Sequence, residues 1–300
     1  MPELQPAAPP PLKLEAAVAQ ATRAMREAGL ESPGREARAL VCAATGLGAA
    51  RLIAEPGLAL SGEQQGAFET FLARRLVREP LSRILGRREF FGRTFRITSD
   101  TLDPRPETET LIEATLAIVD ERGWRKSPIR ILDVGTGTGC VVLTLLAELP
   151  QARGLGTDIV PGALEVAREN AGLLGVTSRV DFRQCRSLEG IEGPFDILVS
   201  NPPYIRDEEI PRLDVEVRDF DPRPALSGGA DGLAVYRELA AGLDRVVRQG
   251  AALFEVGAGQ SEQVAALLSA GGENAGSISR LRFWSDLGGH IRCVAMETDR

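Results

Sequence analysis

Read by its apolar positions, the chain changes period once. From Leu14 to about Leu85 the repeat is helical: Leu14, Val18, Ala21 and Met25 fall at i, i+4, i+7 and i+11, and Gly29 ends the run. Ala37, Leu40, Val41 and Ala44 resume it after Ser32, Pro33 and Gly34, with Gly46 as a stop. Ser61, with Glu63 and Gln64 behind it, predicts another helix start, carrying Phe68, Phe71, Leu72 and Leu76. After Pro80, alternating runs over 84–92 and 94–97, turning at Gly92 and Arg93, predict a β-hairpin. Pro106 fits the first turn of a helix, with Glu107 and Glu109 at its positive end. Beyond Ile129, short apolar runs predict strands at 129–132, 154–158, 180–184, 196–200 and 251–256. Helical patterns at 140–149, 161–174, 233–247 and 260–270 lie between or after them. That alternation predicts a doubly wound, Rossmann-like parallel sheet. Runs at 278–284 and 291–296 predict an antiparallel pair closing its edge. The expected architecture is α/β, with a small helical domain over 1–85 and a hairpin linker plus sheet domain over 86–300.

Composition narrows the partners. Three hundred residues, 43% hydrophobic and 26% charged, describe an ordinary globular chain. A net charge of −7 argues against non-specific nucleic-acid binding, which needs a basic footprint. The four cysteines, Cys42, Cys140, Cys185 and Cys293, are scattered and accompanied by a single histidine, His290, so no metal site is expected. No apolar stretch approaches the roughly 20 residues that span a bilayer. Met1 to Pro11 lacks the basic start and apolar core of a signal peptide, so a cytoplasmic location is expected.

The densest chemistry follows the apolar run Ile197, Leu198, Val199. It stops at Asn201, Pro202, Pro203 and Tyr204, where two prolines forbid a continuing central strand. The chain therefore leaves the sheet at the carboxyl end of a strand, where open α/β sheets bind ligands. The Asn201 oxygen and the Pro202 carbonyl suit the two hydrogens of a planar, uncharged NH2 group, and Tyr204 suits its face. Such a nitrogen is a poor nucleophile because its lone pair is delocalised. Two acceptors on its hydrogens favour the electron-richer nitrogen that develops during attack. An ordinary Asn-Pro turn would account for the tetrapeptide by itself.

A second motif gives it context. Asp133, Gly135, Thr136, Gly137, Thr138 and Gly139 follow the first strand and open a helix, spaced G-x-G-x-G. That is neither the dinucleotide fingerprint nor a phosphate-binding P-loop. Asp158 ends the next strand, where a carboxylate holds both hydroxyls of a ribose. Capping of the helix near Pro161 is its alternative role. Ribose recognition without a phosphate site fits S-adenosyl-L-methionine better than a dinucleotide.

Together these motifs resemble amino-methyltransferases. Three further segments, 85–92, 104–109 and 216–233, resemble the HemK/PrmC family of protein-(glutamine-N5) methyltransferases. The resemblance covers nearly the whole chain and is weakest in the helical part. It implies S-adenosyl-L-methionine as cofactor, S-adenosyl-L-homocysteine as product, and as substrate the Gly-Gly-Gln glutamine of peptide-chain release factors. It also implies that Gly135 to Gly139 cradle the methionine, Asp158 takes the ribose, and Asn201 to Tyr204 hold the acceptor amide. Where members often carry Asp followed by Trp after the third strand, this chain has Cys185 and Arg186, so the adenine loses an indole wall: either the Arg186 guanidinium stacks there instead or the cofactor binds more weakly. His290 is expected to have no catalytic part. Adenine-N6 methylation of nucleic acid, glutamine methylation of a ribosomal protein, and cofactor binding without catalysis remain as other readings.

Overall fold

The first helices form where an apolar face meets a common core. The structure, a computed structural model, describes residues 11–270 and 278–298; the tail expected over Met1 to Pro11 lies outside them but for its last residue. The described residues fall into two compact units, one ending at Leu85 and the other beginning at Gly86. In the first, α1 (Leu14–Glu27), α2 (Pro33–Thr45), α3 (Ala49–Ala54), α4 (Gly62–Leu76) and α5 (Leu81–Leu85) enclose a core of Leu14, Met25, Leu40, Val41, Phe68 and Leu72. Ser61 and Gln64 form a reciprocal capping box at the head of α4. A buried Arg75–Glu36 pair, 2.7 Å, ties α4 to α2.

The second unit opens with the hairpin β1 (Arg87–Phe90) and β2 (Arg93–Arg96), then runs through α6 (Glu109–Glu121), β3 (Arg130–Val134), α7 (Cys140–Glu148), β4 (Arg153–Asp158), α8 (Pro161–Leu173), β5 (Val180–Gln184) and β6 (Ile197–Ser200). It continues with α9 (Val215–Arg218), α10 (Ala234–Ala240), α11 (Leu243–Val246), β7 (Gly250–Glu255), α12 (Ser261–Ala270), β8 (Ile278–Ser285) and β9 (Ile291–Thr298). The seven-stranded sheet has the order β5-β4-β3-β6-β7-β9-β8, with β9 antiparallel to both neighbours and the other pairings parallel. The expected doubly wound sheet and its antiparallel edge pair are both present.

Alternation along each central strand feeds two cores. Ile131, Ile197, Val199 and Leu253 face a layer that includes Leu111 and Ile118 of α6 and Leu145 of α7. Leu132, Leu198, Ala252 and Phe254 face Tyr236 and Leu239 of α10, Val246 of α11 and Leu268 of α12. Burial on both faces is why β6 reads as an unbroken apolar run.

Two expectations need correction. The helical pattern over 233–247 is not one helix: it breaks before Gly242, where a Cβ would lie 2.9 Å from the Leu188 side chain, and α11 starts anew. Pro106 begins a single 3₁₀ turn, Pro106–Thr108, ahead of α6. Glu109 then accepts a hydrogen bond from the Phe91 N–H at 2.8 Å, which anchors the hairpin to α6.

Candidate active site

The chain fills the sheet from β3 outward to β5, then returns to place β6 on the other side of β3. The carboxyl ends of β3 and β6 therefore flank the topological switch point, the usual crevice of an open α/β sheet. The glycine loop leaves β3 there and Asn201 leaves β6. The Ser200 hydroxyl donates to the Val134 carbonyl at 2.6 Å and holds the two strand ends together.

The loop after β3 is a backbone surface. Gly135 and Thr136 both donate to the Thr157 carbonyl at 2.8 Å, and Gly139 donates to the Thr136 carbonyl at 2.8 Å. Gly137 adopts φ +54°, and a Cβ there would meet nothing within 4 Å, so the bare backbone looks into open space. Gly139, at φ +80°, starts α7; a Cβ there would stand 2.7 Å from Leu143 Cδ1. Asn170 of α8 is fully buried and donates to the Thr138 carbonyl at 2.9 Å, bracing the loop from behind.

Two carboxylates serve this loop. Asp158 accepts the Gly137 N–H on Oδ2 and the Val160 N–H on Oδ1, each at 2.9 Å. It is not the cap of α8, whose N-cap is Val160 without a side-chain bond. Burial pushes the Asp158 carboxyl upward, against these backbone donors. Asp133, 1% exposed, accepts the Thr136 hydroxyl at 2.7 Å, and burial pushes it up to about 7.

A cavity of about 440 Å³ runs from this loop across the strand ends, within the range of small-molecule sites. It is walled by Gly135, Thr136, Gly137, Thr138, Asp158, Arg186, Asn201, Pro202 and Pro203, among others. Gly139 stands behind the loop. A second cavity of about 260 Å³ includes Glu107, Tyr204, Glu255 and Arg292 in its wall. Asn201 and Pro202 belong to both walls, so the two spaces meet at the amide. Asn201 Nδ2 donates to Thr108 Oγ1 at 3.2 Å. Tyr204 belongs to the smaller space alone, and burial pushes its phenol up to about 12. An Arg105–Asp221 ion pair ties the segment before α6 to the strap over 216–233. Strap and strand exit are joined by the Ile205 N–H on the Leu226 carbonyl, 3.0 Å.

Arg186 is not poised as a free guanidinium. It forks onto Glu238 of α10 at 2.6 and 3.2 Å, and both residues wall the larger cavity. His290 is exposed in the turn between β8 and β9, away from both cavity walls. Among the described residues no cluster of His, Cys, Asp or Glu could hold a metal ion. Thr108, Asp133, Asn170, Glu238 and Glu255 were not legible as site residues. Asp133 opens the glycine motif and Thr108 lies in the segment 104–109; the other three carry no motif.

The larger cavity fits S-adenosylmethionine. Each Asp158 oxygen accepts one N–H and keeps a lone pair for a ribose hydroxyl. Gly137 leaves room for close backbone approach. A crevice with these features, opening onto an uncharged amide, belongs to a Rossmann-like methyltransferase that uses S-adenosylmethionine as methyl donor. Residues 125–227 match the methyltransferase domain family, and residues 16–86 match the PrmC N-terminal domain. A solved hMettl16 catalytic domain, in complex with a MAT2A 3'UTR hairpin, shares the fold: TM-score 0.53, 15% identity, 76% of this chain and 81% of that one.

Curated relatives named release factor glutamine methyltransferase include that of Rhodospirillum rubrum, 45% identical over 90% of this chain and 80% of its own length. That of Cereibacter sphaeroides is 44% identical over 89% and 92%, and that of Moorella thermoacetica 37% over 94% and 97%. The chain belongs to the release factor glutamine methyltransferase family.

Proposed function

We propose that this enzyme methylates the side-chain amide nitrogen of the glutamine in the Gly-Gly-Gln loop of peptide-chain release factors, in the cytoplasm and in the service of translation termination. The observation that carries this reading is the meeting of two cavities at Asn201 and Pro202. One space suits the cofactor, and the other suits a neutral side chain arriving from outside. Bound S-adenosylmethionine supplies an electrophilic methyl group on a sulfonium.

The chain's own groups do the rest. Asp158 holds the ribose, and Gly135, Thr136, Gly137 and Thr138 form the cradle for the methionine part, with Gly139 making the turn behind it. Asn201 Oδ1 and the Pro202 carbonyl each accept a hydrogen of the acceptor NH2. This stabilises the pyramidal nitrogen of the transition state with dipoles already in place, so no charged base is needed. Pro203 stiffens the exit from β6, and Tyr204 packs against the face of the acceptor amide. The alkylated nitrogen loses its proton to water. Arg186, held by Glu238, flanks the adenine end in place of an aromatic wall. Residues 1–85 dock the protein substrate.

Incubation of the enzyme with full-length release factor and isotopically labelled S-adenosylmethionine, followed by peptide mass spectrometry, tests the reading. The label is expected on the Gly-Gly-Gln glutamine. Label absent from release factor but present on an adenine-containing oligonucleotide or a ribosomal protein would overturn it.

A further inference from the structure

Glu255 ends β7, the strand beside β6, and is 1% exposed. Its Oε2 finds no hydrogen-bond partner among the described residues. A buried carboxyl with an unpartnered oxygen is destabilising, and such groups concentrate where function requires them. The Thr108 hydroxyl and the Asn201 amide lie against this carboxyl, and Asn201 Nδ2 also donates to Thr108 Oγ1. Glu255 walls the smaller cavity with Asn201 and Pro202.

We propose that Glu255 is a positioning residue that sets which end of the Asn201 amide meets the acceptor nitrogen. This rests on the reading that Asn201 receives the acceptor amide. The two ends of a carboxamide are nearly alike in shape and opposite in polarity, so packing by itself does not choose between them. Thr108 does not choose either, because a hydroxyl both donates and accepts. An ionised carboxylate only accepts. It draws Nδ2 and the Thr108 O–H toward itself and leaves Oδ1 turned to the cavity. A reversed amide would point N–H donors at the donors of the acceptor and remove the dipole that assists attack.

The arrangement makes turnover depend on pH. Burial pushes Glu255 up to about 7, with Thr108, Arg292 and Asn201 opposing and Glu107 reinforcing the shift. The other groups that sense its charge are Tyr204, Tyr236, Cys140 and Cys293, all raised chiefly by burial, so they stay neutral near pH 7. As pH falls through about 7 Glu255 takes up a proton, becomes a donor as well as an acceptor, and loses its preference. Asp133 also titrates near 7 but lies on the cofactor side, so variants at 255 separate the two.

The test uses the full-length enzyme and full-length release factor, with Asn201→Ala, Glu255→Leu and Glu255→Gln compared across pH and cofactor affinity followed by calorimetry. Asn201→Ala is expected to be nearly inactive. Glu255→Leu is expected to lower kcat about 10- to 100-fold with cofactor Kd and release-factor KM unchanged, the cost of a misaligned group. Glu255→Gln, which donates as well as accepts like the protonated carboxyl, is expected to hold kcat near the low value the wild type reaches on its acid side, and to lose the acid limb near pH 7. Wild-type kcat in Glu255→Leu beside a dead Asn201→Ala would overturn the positioning role and leave the proposed function standing. So would an acid limb retained by Glu255→Gln, a result that holds even if the leucine variant does not fold. Full turnover by Asn201→Ala would overturn both.

Discussion

On the proposed function, Asn201 serves the acceptor and Asp158 the cofactor, and their variants should separate in the same way. Asn201→Ala removes an acceptor aimed at the reacting nitrogen, so kcat should fall by about 10²–10³. Cofactor affinity, measured by calorimetry, should change little. Asp158→Ala should instead weaken cofactor binding by roughly 1.5–3 kcal/mol, the usual worth of a charge-assisted hydrogen bond. Asp158→Asn is a sharper test. Both carboxylate oxygens already accept a backbone N–H, from Gly137 and Val160. An amide there must turn its NH2 toward one of those donors, so the asparagine variant should bind cofactor nearly as poorly as alanine. Wild-type affinity in either variant would remove Asp158 from the cofactor site.

The turn from β3 into α7 distinguishes two uses of glycine within one element. Gly139 is left-handed at φ +80° and packed, with Leu143 Cδ1 2.7 Å from a would-be Cβ. Gly139→Ala should therefore destabilise the fold, by about 1–2 kcal/mol from backbone strain and more from displacing the fully buried Leu143. Gly137 is also left-handed, at φ +54°, but a Cβ there would enter open space beside the cavity. Gly137→Ala should cost stability only through strain, while its methyl group obstructs the cofactor. Denaturation midpoints and cofactor Kd, measured on both, should rank the variants in opposite orders. Equal ranking would mean that the two glycines serve the turn alike.

At the scale of the whole molecule, two buried carboxyls each make a pH-dependent contribution to stability of definite sign. Asp133 and Glu255 are both raised to about 7, from ordinary values of 3.8 and 4.5. Between the lower and upper values the folded state binds more protons than the unfolded one, so their contribution to stability falls as pH rises through that window and levels off above about 7. Each ionised group then costs roughly 3–4 kcal/mol. Glu255→Gln should raise Tm at about pH 8 by a few degrees and leave it unchanged near pH 4. Calorimetric scans at the two pH values check this, and no gain at the higher one would mean that Arg292 compensates the charge. The division of the chain at Leu85 and Gly86 motivates a second expectation. Both cavity walls are built from residues beyond Gly86, so a folded chain lacking 1–85 should bind cofactor normally yet lose most of its kcat/KM toward intact release factor. Undiminished kcat/KM would make the helical unit a stabilising appendage.

What the sequence by itself determined was whatever rests on local chemistry. The unbroken apolar run at Ile197 to Val199 required a strand buried on both faces, and Pro202 and Pro203 required that it end there. The glycine spacing after Val134 required a turn with positive φ, and Ser61 with Gln64 encoded a helix start, because backbone sterics and caps act within a few residues. Only the tertiary structure decided which strand ends adjoin. Placing β6 beside β3, and β7 beside β6, brings Glu255 from the far end of the chain to Asn201, together with Thr108 from ahead of α6. It likewise pairs Arg186 with Glu238, 52 residues apart, and splits the expected helix at Gly242 against Leu188. A carboxylate at a strand end looks the same in sequence whether it meets water or an amide. Its desolvation, and hence its chemistry, is set by neighbours that are distant along the chain.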